Sequence, residues 1–387
     1  MPGFEVVGKE EQAAVNDVFE KSNGVVFAHG FDALRNGIFR VRDLEKQISQ
    51  RFKAGHAQAV SSGSTALKVA LKAMGIGPGD EVITQSFTFI ATAEAILEVG
   101  ATPVIVDIDR TLNMCPLKLE EAITENTKAV IPVHMLGVTA SMGQILSIAK
   151  KYKLMVLEDA AQGLGGKFEG RHLGTLGDMG TYSFDGGKTV ICGEGGMIVT
   201  NDETKYIKAR AYHDHGHEYH PTLGRGVENA LCTGFNYRMS ELQAAFASAQ
   251  FKKLDFILRE QKSNQIKLRR AISTIGYEFR EIPDEEGDIG DSLVFFLSSR
   301  EEAQSFASKM VEHGLGTKNL PDAIRWHFAK HWGHIYDEYG IYPDYKTHWK
   351  QSDDLLSRAI ALPVMVKMTG AQLQSIAETL LKISKEI

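Results

Sequence analysis

The chain has 387 residues, with 43 Lys and Arg against 49 Asp and Glu for a formal charge of −6, and 37 glycines against 10 prolines. With 43% hydrophobic and 24% charged residues it has an ordinary soluble composition, which excludes collagen-like, mucin-like and tail-like chains. An acidic balance also excludes the clustered Lys/Arg footprint of a general nucleic-acid binder. Cys115, Cys192 and Cys232 are odd in number and widely spaced, which argues against a disulfide framework and a four-thiolate zinc site. Residues 1–12 lack a signal-like apolar stretch, and no apolar run approaches the ~20 residues of a bilayer span. The expectation is a cytoplasmic protein with no membrane or nucleic-acid partner.

In chain order, an apolar strand at Gln58–Val60 leads to a helix over Ser64–Met74, where Leu67, Leu71 and Met74 share a face and Gly75 marks the stop. Strands are expected at Glu81–Thr84, Val104–Asp107, Ala129–His134, Leu154–Glu158, Thr181–Phe184 and Met197–Thr200, with a helix over Met142–Tyr152. From Ser240 to Ile275 neither Pro nor Gly interrupts one or two further helices, up to the acidic loop Pro283–Asp291. Then come a strand at Leu293–Leu297, a helix over Glu301–His313 and a final amphipathic helix over Gln372–Ile383. Alternating strands and helices predict an α/β chain. A large three-layer domain with a mainly parallel sheet and an N-terminal segment takes residues 1–250, and a smaller α+β domain takes residues 251–387.

Three segments could carry chemistry. Ser61-Ser62-Gly63-Ser64-Thr65-Ala66-Leu67 is a small-residue turn opening a helix; it suits a phosphate, or simply a helix cap by Ser62 or Ser64. Glu158 and Asp159 end a buried strand, at the sheet edge where ligands collect. Asp159 there could bind a metal, act as a base, pair with a protonated ring nitrogen or cap the next helix. Lys188 leaves a strand through Asp185-Gly186-Gly187, with Gly193-Glu194-Gly195-Gly196 close behind. A nucleotide P-loop would need glycine where Tyr182 stands, so a Schiff base between Lys188 and a cofactor aldehyde is the better chemistry. A phosphate cup, an acid, a lysine and a flat side chain at Phe89 together suit pyridoxal 5'-phosphate, although Phe87 and Phe89 could equally be core.

The same segments, with Phe87-Thr88-Phe89-Ile90-Ala91-Thr92, Glu158-Asp159-Ala160-Ala161-Gln162 and Gly234-Phe235-Asn236-Tyr237-Arg238-Met239-Ser240-Glu241-Leu242-Gln243-Ala244, resemble the DegT/DnrJ/EryC1/StrS sugar aminotransferases from about residue 25 to the end. The resemblance implies a fold type I pyridoxal-phosphate transferase with pyridoxamine 5'-phosphate as intermediate. It makes Lys188 the Schiff-base lysine and Asp159 the partner of the pyridine nitrogen. It further has Gln162 touching the ring oxygen, Phe89 stacking, and Ser64, Thr65 and Ser183 holding the phosphate. Asn236 would reach that phosphate from a neighbouring subunit, so a homodimer with shared active sites is implied. Asp185 stands where many members have His, and a histidine at the Lys188 position marks a small group of dehydratases, so Lys188 favours amino transfer. Tyr182 to Thr189, Cys192 to Gly196, residues 1–6 and Asp214-His215-Gly216-His217 resemble the branch making 8-amino-3,8-dideoxy-manno-octulosonate, a lipopolysaccharide sugar, with glutamate as donor. Alternatives are a nucleotide-linked 3- or 4-keto sugar as acceptor, a sugar dehydratase, or a cofactor-binding regulator.

The histidines at 213, 215, 217 and 220 crowd one loop with Asp214 and Glu218. They read as an active-site loop rather than a metal site, since no strand or helix frames them. Arg325, His327, Lys330 and His331, interleaved with Trp326 and Trp332, could form a basic aromatic wall for an acidic sugar or a packing helix. His215, His217, Arg325, His327 and Lys330 are the candidate substrate residues, and no metal is expected.

Overall fold

The computed structural model describes residues 2–321 and 324–387. Nine strands precede residue 201: β1 (His56–Val60), β2 (Glu81–Gln85), β3 (Thr102–Val106), β4 (Thr127–Ile131), β5 (Met155–Asp159), β6 (Lys167–Phe168), β7 (Arg171–His172), β8 (Met179–Ser183) and β9 (Gly196–Thr200). Seven form one sheet in the order β1-β9-β8-β5-β4-β2-β3, and β6 with β7 makes a separate hairpin. All contacts from β8 to β3 are parallel, whereas β9 runs antiparallel to both β1 and β8.

The sheet is covered on both faces. Successive residues of a strand point to opposite sides, and β4 shows the result. Ala129 and Ile131 join the core containing Leu71 and Ile96, while Val130 joins the one containing Ile145 and Ala149. Because both faces are buried, the central strands read as continuous apolar runs rather than alternating ones. Helices Gly63–Ala73 and Ala91–Glu98 supply the first layer and Met142–Tyr152 part of the second.

The stretch 160–178, which crosses over between parallel β5 and β8, holds no α-helix; the β6–β7 hairpin occupies it. Its glycines make this possible: a Cβ on Gly180 would lie 2.0 Å from the Gly174 carbonyl oxygen, so the connection packs flat against the strand it feeds.

A second sheet has the order β10-β11-β12, from β10 (Glu278–Phe279), β11 (Ser292–Phe296) and β12 (Ala359–Pro363), all antiparallel. Helices Leu254–Ala271, Arg300–Glu312 and Gly370–Glu386 enclose its core around Phe295, Phe306 and Leu380. Sequence analysis missed β12 because helix Lys350–Arg358 runs into it without a Gly or Pro between. Its terminal Pro363 is tolerated because β12 is an edge strand.

Residues 328–356 pack against the first sheet. Trp332, Tyr336 and Trp349 lie in the core with Val82 and Ile105. The exposed side of edge strand β3 is closed there: the Ile105 N–H donates to the Tyr342 hydroxyl at 2.7 Å and its carbonyl accepts from Trp349 Nε1 at 2.9 Å. An unpaired edge would invite pairing with another chain. Among the described residues, no helix is long and apolar enough to cross a membrane.

Candidate active site

The carboxyl ends of β5 and β8 open into a cavity of about 470 Å³. The turn after β1 forms one wall. Ser62 caps helix Gly63–Ala73: its Oγ accepts from the Thr65 N–H at 3.1 Å, while the Ser62 N–H donates to Thr65 Oγ1 at 2.9 Å. The capping reading therefore holds for Ser62, and it removes Thr65 from the cavity, since both its amide and its hydroxyl are used in the cap. Gly63 and Ser64 line the space instead. Their amides sit in the first helical turn, where no carbonyl within the helix can reach them and the dipole favours an anion. Glycine is required at 63 because a Cβ would lie 2.8 Å from Ser183 Cβ. That close approach brings Ser183, buried at the end of β8, beside the helix terminus.

Asp159, 5% exposed, ends β5. Its Oδ2 accepts from Thr92 Oγ1 at 2.9 Å and its Oδ1 from the Ala161 N–H at 3.1 Å. Thr92 is in turn 2.8 Å from Thr88 Oγ1. The carboxylate is thus held in place, yet a carboxylate has about four acceptor sites and only two are taken. Neighbouring Glu158 is different: fully buried, it accepts from the amides of Gly174, Leu176 and Gly177 and contacts His134 Nε2 at 3.1 Å. It pins the β5–β8 connection and has nothing left for a ligand.

Lys188 leaves β8 through a turn closed by its own N–H on the Asp185 carbonyl at 3.0 Å. Its backbone carbonyl accepts from the Gly3 N–H at 3.1 Å, so residues 2–5 pack directly on the lysine loop. Burial pushes the Lys188 ammonium below its ordinary pKa, and the charges of Asp159 and Asp185 oppose that shift. A desolvated amine next to a buried carboxylate is a reactive arrangement. Gln162 receives the Leu136 N–H on Oε1 at 2.9 Å, which leaves its NH2 as the donor for the cavity it lines. The two phenylalanines part: Phe87 is fully buried core, while Phe89 is 43% exposed, lines the cavity and lies 5.4 Å from the His327 ring.

The candidate substrate residues are mostly elsewhere. His327 lines the cavity, but Arg325 is exposed away from it and Lys330 is paired with Asp353 at 2.8 Å. Trp332 is core, so no basic aromatic wall forms. In the histidine-rich loop, Asp214 is fully buried. Burial works against its charge, but hydrogen bonds from Arg225 and Tyr219 and the charge of Arg238 hold its carboxyl far below the usual range. His217 Nδ1 meets Glu228 at 2.7 Å and the His215 N–H bonds the Phe235 carbonyl at 3.1 Å. Among the described residues no three His, Cys, Asp or Glu side chains converge as a metal would require. Asn236 is exposed and does not line this chain's cavity.

Sequence reasoning missed Thr92, which fixes Asp159, and Pro2, Asp291 and Lys318, which line an adjoining cavity of about 390 Å³. Thr92 lay within a quoted segment, and its place three residues after Phe89 was the available signal. Lys318 had none.

An anion seat at a helix terminus, an exposed aromatic face, a buried carboxylate with open acceptor sites and a desolvated amine are what pyridoxal phosphate requires. A family profile described as the DegT/DnrJ/EryC1/StrS aminotransferase family matches residues 25–381. The pleiotropic regulatory protein of Geobacillus stearothermophilus is 35% identical over 348 residues, 87% of each chain. UDP-N-acetyl-3-dehydro-alpha-D-glucosamine 3-aminotransferase of Acidithiobacillus ferrooxidans is 33% identical over 340 residues, 87% of this chain and 86% of that one. Among solved structures, an aminotransferase from Psychrobacter cryohalolentis matches with a TM-score of 0.87 at 26% identity, covering 98% of both chains. NtdA of Bacillus subtilis, solved with bound cofactor PMP, matches with a TM-score of 0.83 at 26% identity over 99% of this chain and 84% of that one. The chain belongs to the DegT/DnrJ/EryC1/StrS aminotransferase family and is a pyridoxal-phosphate-dependent transaminase.

Proposed function

We propose that this sugar aminotransferase moves the amino group of L-glutamate to the C8 aldehyde of 3,8-dideoxy-8-oxo-manno-octulosonate, giving 8-amino-3,8-dideoxy-manno-octulosonate for lipopolysaccharide. Bound pyridoxal phosphate supplies an electron sink and carries the amino group between the two substrates. Lys188 holds the cofactor and, once freed, moves a proton on and off the reacting carbon through its Nζ. Asp159 keeps a proton on the ring nitrogen, and Thr92 keeps Asp159 aimed. Phe89 supplies the stacking face, Gln162 a donor, and Ser183 with the Gly63 and Ser64 amides the phosphate seat. In this reading residues 1–250 carry the cofactor, residues 251–387 complete the substrate cavity, and a homodimer brings Asn236 to a partner's phosphate seat.

The observation that carries amino transfer is Lys188 itself, a desolvated amine in the same cavity as the buried carboxylate of Asp159. The octulosonate reading is supported by where its matching segments lie. Pro2 and Lys188-Thr189, from two of them, line one cavity, and the Gly3 N–H joins them through the Lys188 carbonyl.

A nucleotide-linked keto sugar is the second reading. A relative at 33% identity is named for a UDP-linked 3-dehydro sugar. Assaying the 8-oxo acid beside UDP-, GDP- and dTDP-linked keto sugars, with mass analysis of products, separates the two. The expected result is an amino acid sugar from the 8-oxo acid alone; preferential amination of a nucleotide sugar would overturn the octulosonate reading.

A further inference from the structure

The adjoining cavity shares Ala161, Gln162, Lys188 and His327 with the cofactor cavity but lacks Asp159, Phe89 and Ser183. It is therefore the outer room, where the parts of a substrate remote from the reacting carbon must go. Among the described residues lining the two cavities, the ammonium groups are those of Lys188 and Lys318. Lys188 is committed to the cofactor.

Lys318 is rigidly placed. Its N–H bonds the Ala361 carbonyl of β12 at 2.7 Å, and its Nζ is paired with Asp291. Asp291 is itself buried and anchored, with its carbonyl accepting from the Val364 N–H at 3.1 Å. An ammonium group has three donors and no acceptor. Asp291 occupies one N–H and orients the group, which leaves two for a ligand in the cavity.

On the reading given above, both substrates are acids with a carboxylate several bonds from the carbon that reacts. In glutamate it is the side-chain carboxylate; in the octulosonate it is the carboxylate at C1. The two occupy the cavity in turn, and since C1 lies more bonds from C8 than the glutamate side-chain carboxylate lies from Cα, the sugar must fold back along the outer room for one seat to receive both. We infer that Lys318, oriented by Asp291, is a carboxylate seat in the outer room that binds the remote carboxylate of the amino donor and then that of the acid acceptor. This rests on the proposed function for both the donor and the acceptor, and glutarate binding tests the seat apart from either. Unlike Arg325 and Lys330, Lys318 lines the outer cavity, where the N–H groups not used by Asp291 are left for a ligand.

The test compares the cofactor-loaded wild type with Lys318→Met and Lys318→Arg, reading KM for L-glutamate and for the 8-oxo acid, and calorimetric binding of glutarate, a dicarboxylate that cannot react. Lys318→Met is expected to raise both KM values and the glutarate Kd about tenfold or more, the loss of a charge-assisted hydrogen bond. Its kcat should change less than about threefold, since uniform binding is lost rather than transition-state binding. Lys318→Arg should retain most affinity. No glutarate binding in the wild type, an unchanged Kd in Lys318→Met, or a loss confined to kcat overturns the inference; the last would make Lys318 a modulator of Lys188. A wild type that reacts with glutamate but ignores the 8-oxo acid overturns the acceptor assignment alone, and the glutamate and glutarate measurements still decide Lys318. Should Lys318→Met not fold, Lys318→Gln, which keeps a polar side chain but removes the charge, must weaken glutarate binding, and an unchanged Kd overturns the inference.

Discussion

The sheet edge at Asp159 and Lys188 and the loop from His213 to Arg238 are both dense in ionisable side chains, but they differ in how those groups are satisfied. Asp214 is saturated by two arginines and a tyrosine and His217 Nδ1 meets Glu228, while Glu218 Oε2 is buried there without a hydrogen-bond partner but lines neither cavity. His213 touches Gln58 Nε2 at 3.2 Å. Asp159, by contrast, has two protein donors and faces a cavity with a desolvated amine. Crowding of charge in a sequence is thus a poor guide to chemistry within one chain; unfilled bonding capacity at a cavity wall is a better one.

The largest expected effect is at Lys188. Lys188→Ala should lower turnover by about 10³-fold or more, through loss of both the covalent anchor and the proton carrier. The visible absorbance of lysine-bound cofactor should vanish too, and an active variant would erase the contrast between the two regions. Next is the support of Asp159: Thr92→Val should cost about tenfold in kcat/KM, with most of the loss in kcat. The opposite signature is expected at the loop. Asp214→Asn leaves arginines short of a partner and should cost about 2 to 3 kcal/mol of stability in urea titration, its main effect being on folding. If that stability is unchanged, the loop's ion pairs are not what holds it.

A smaller effect is one of pH. Burial pushes His213 and His172 down to about 4 from an ordinary 6.5. Between those values the unfolded chain binds more protons than the folded one, so stability rises with pH and is lost as pH falls from about 6.5 toward 4. Tm measured across that window should drop, and His213→Gln should flatten the drop by about 1 to 2 kcal/mol. Smallest is Gly3→Ala, whose Cβ would lie 2.8 Å from Ile191 Cγ2 and 2.9 Å from the Lys188 carbonyl. It should shift the lysine loop and reduce kcat by a few-fold at most, with little change in Tm.

Much of this was legible in the residues. The strands at 81–85, 155–159 and 196–200 follow from β-branched runs bounded by turns, and the helix from residue 63 from its spacing and its serine cap. That Asp159, Lys188, Phe89 and Ser183 share one cavity was also legible, because each lies at the end of a strand or in the segment that follows one, the sheet edge where ligands collect. What local pattern could not separate was Phe87 from Phe89, or Glu158 from Asp159. Adjacent residues on a strand take opposite faces, and Phe87 and Phe89 lie beyond the end of β2, so which side chain meets the cavity depends on what packs there.

The sequence by itself therefore determined the family, most of the order of strands and helices along the chain and the four residues proposed to hold the cofactor. Tertiary structure alone decided that Thr65 serves the helix cap, that Lys330 is paired with Asp353, that Asp214 and His217 are paired within their loop, and that Pro2 and Lys318 meet beside Lys188. The reason is distance along the chain: caps and periodicity act over three or four residues, while a cavity wall gathers segments hundreds of residues apart. No short-range pattern records which of their charges are already neutralised.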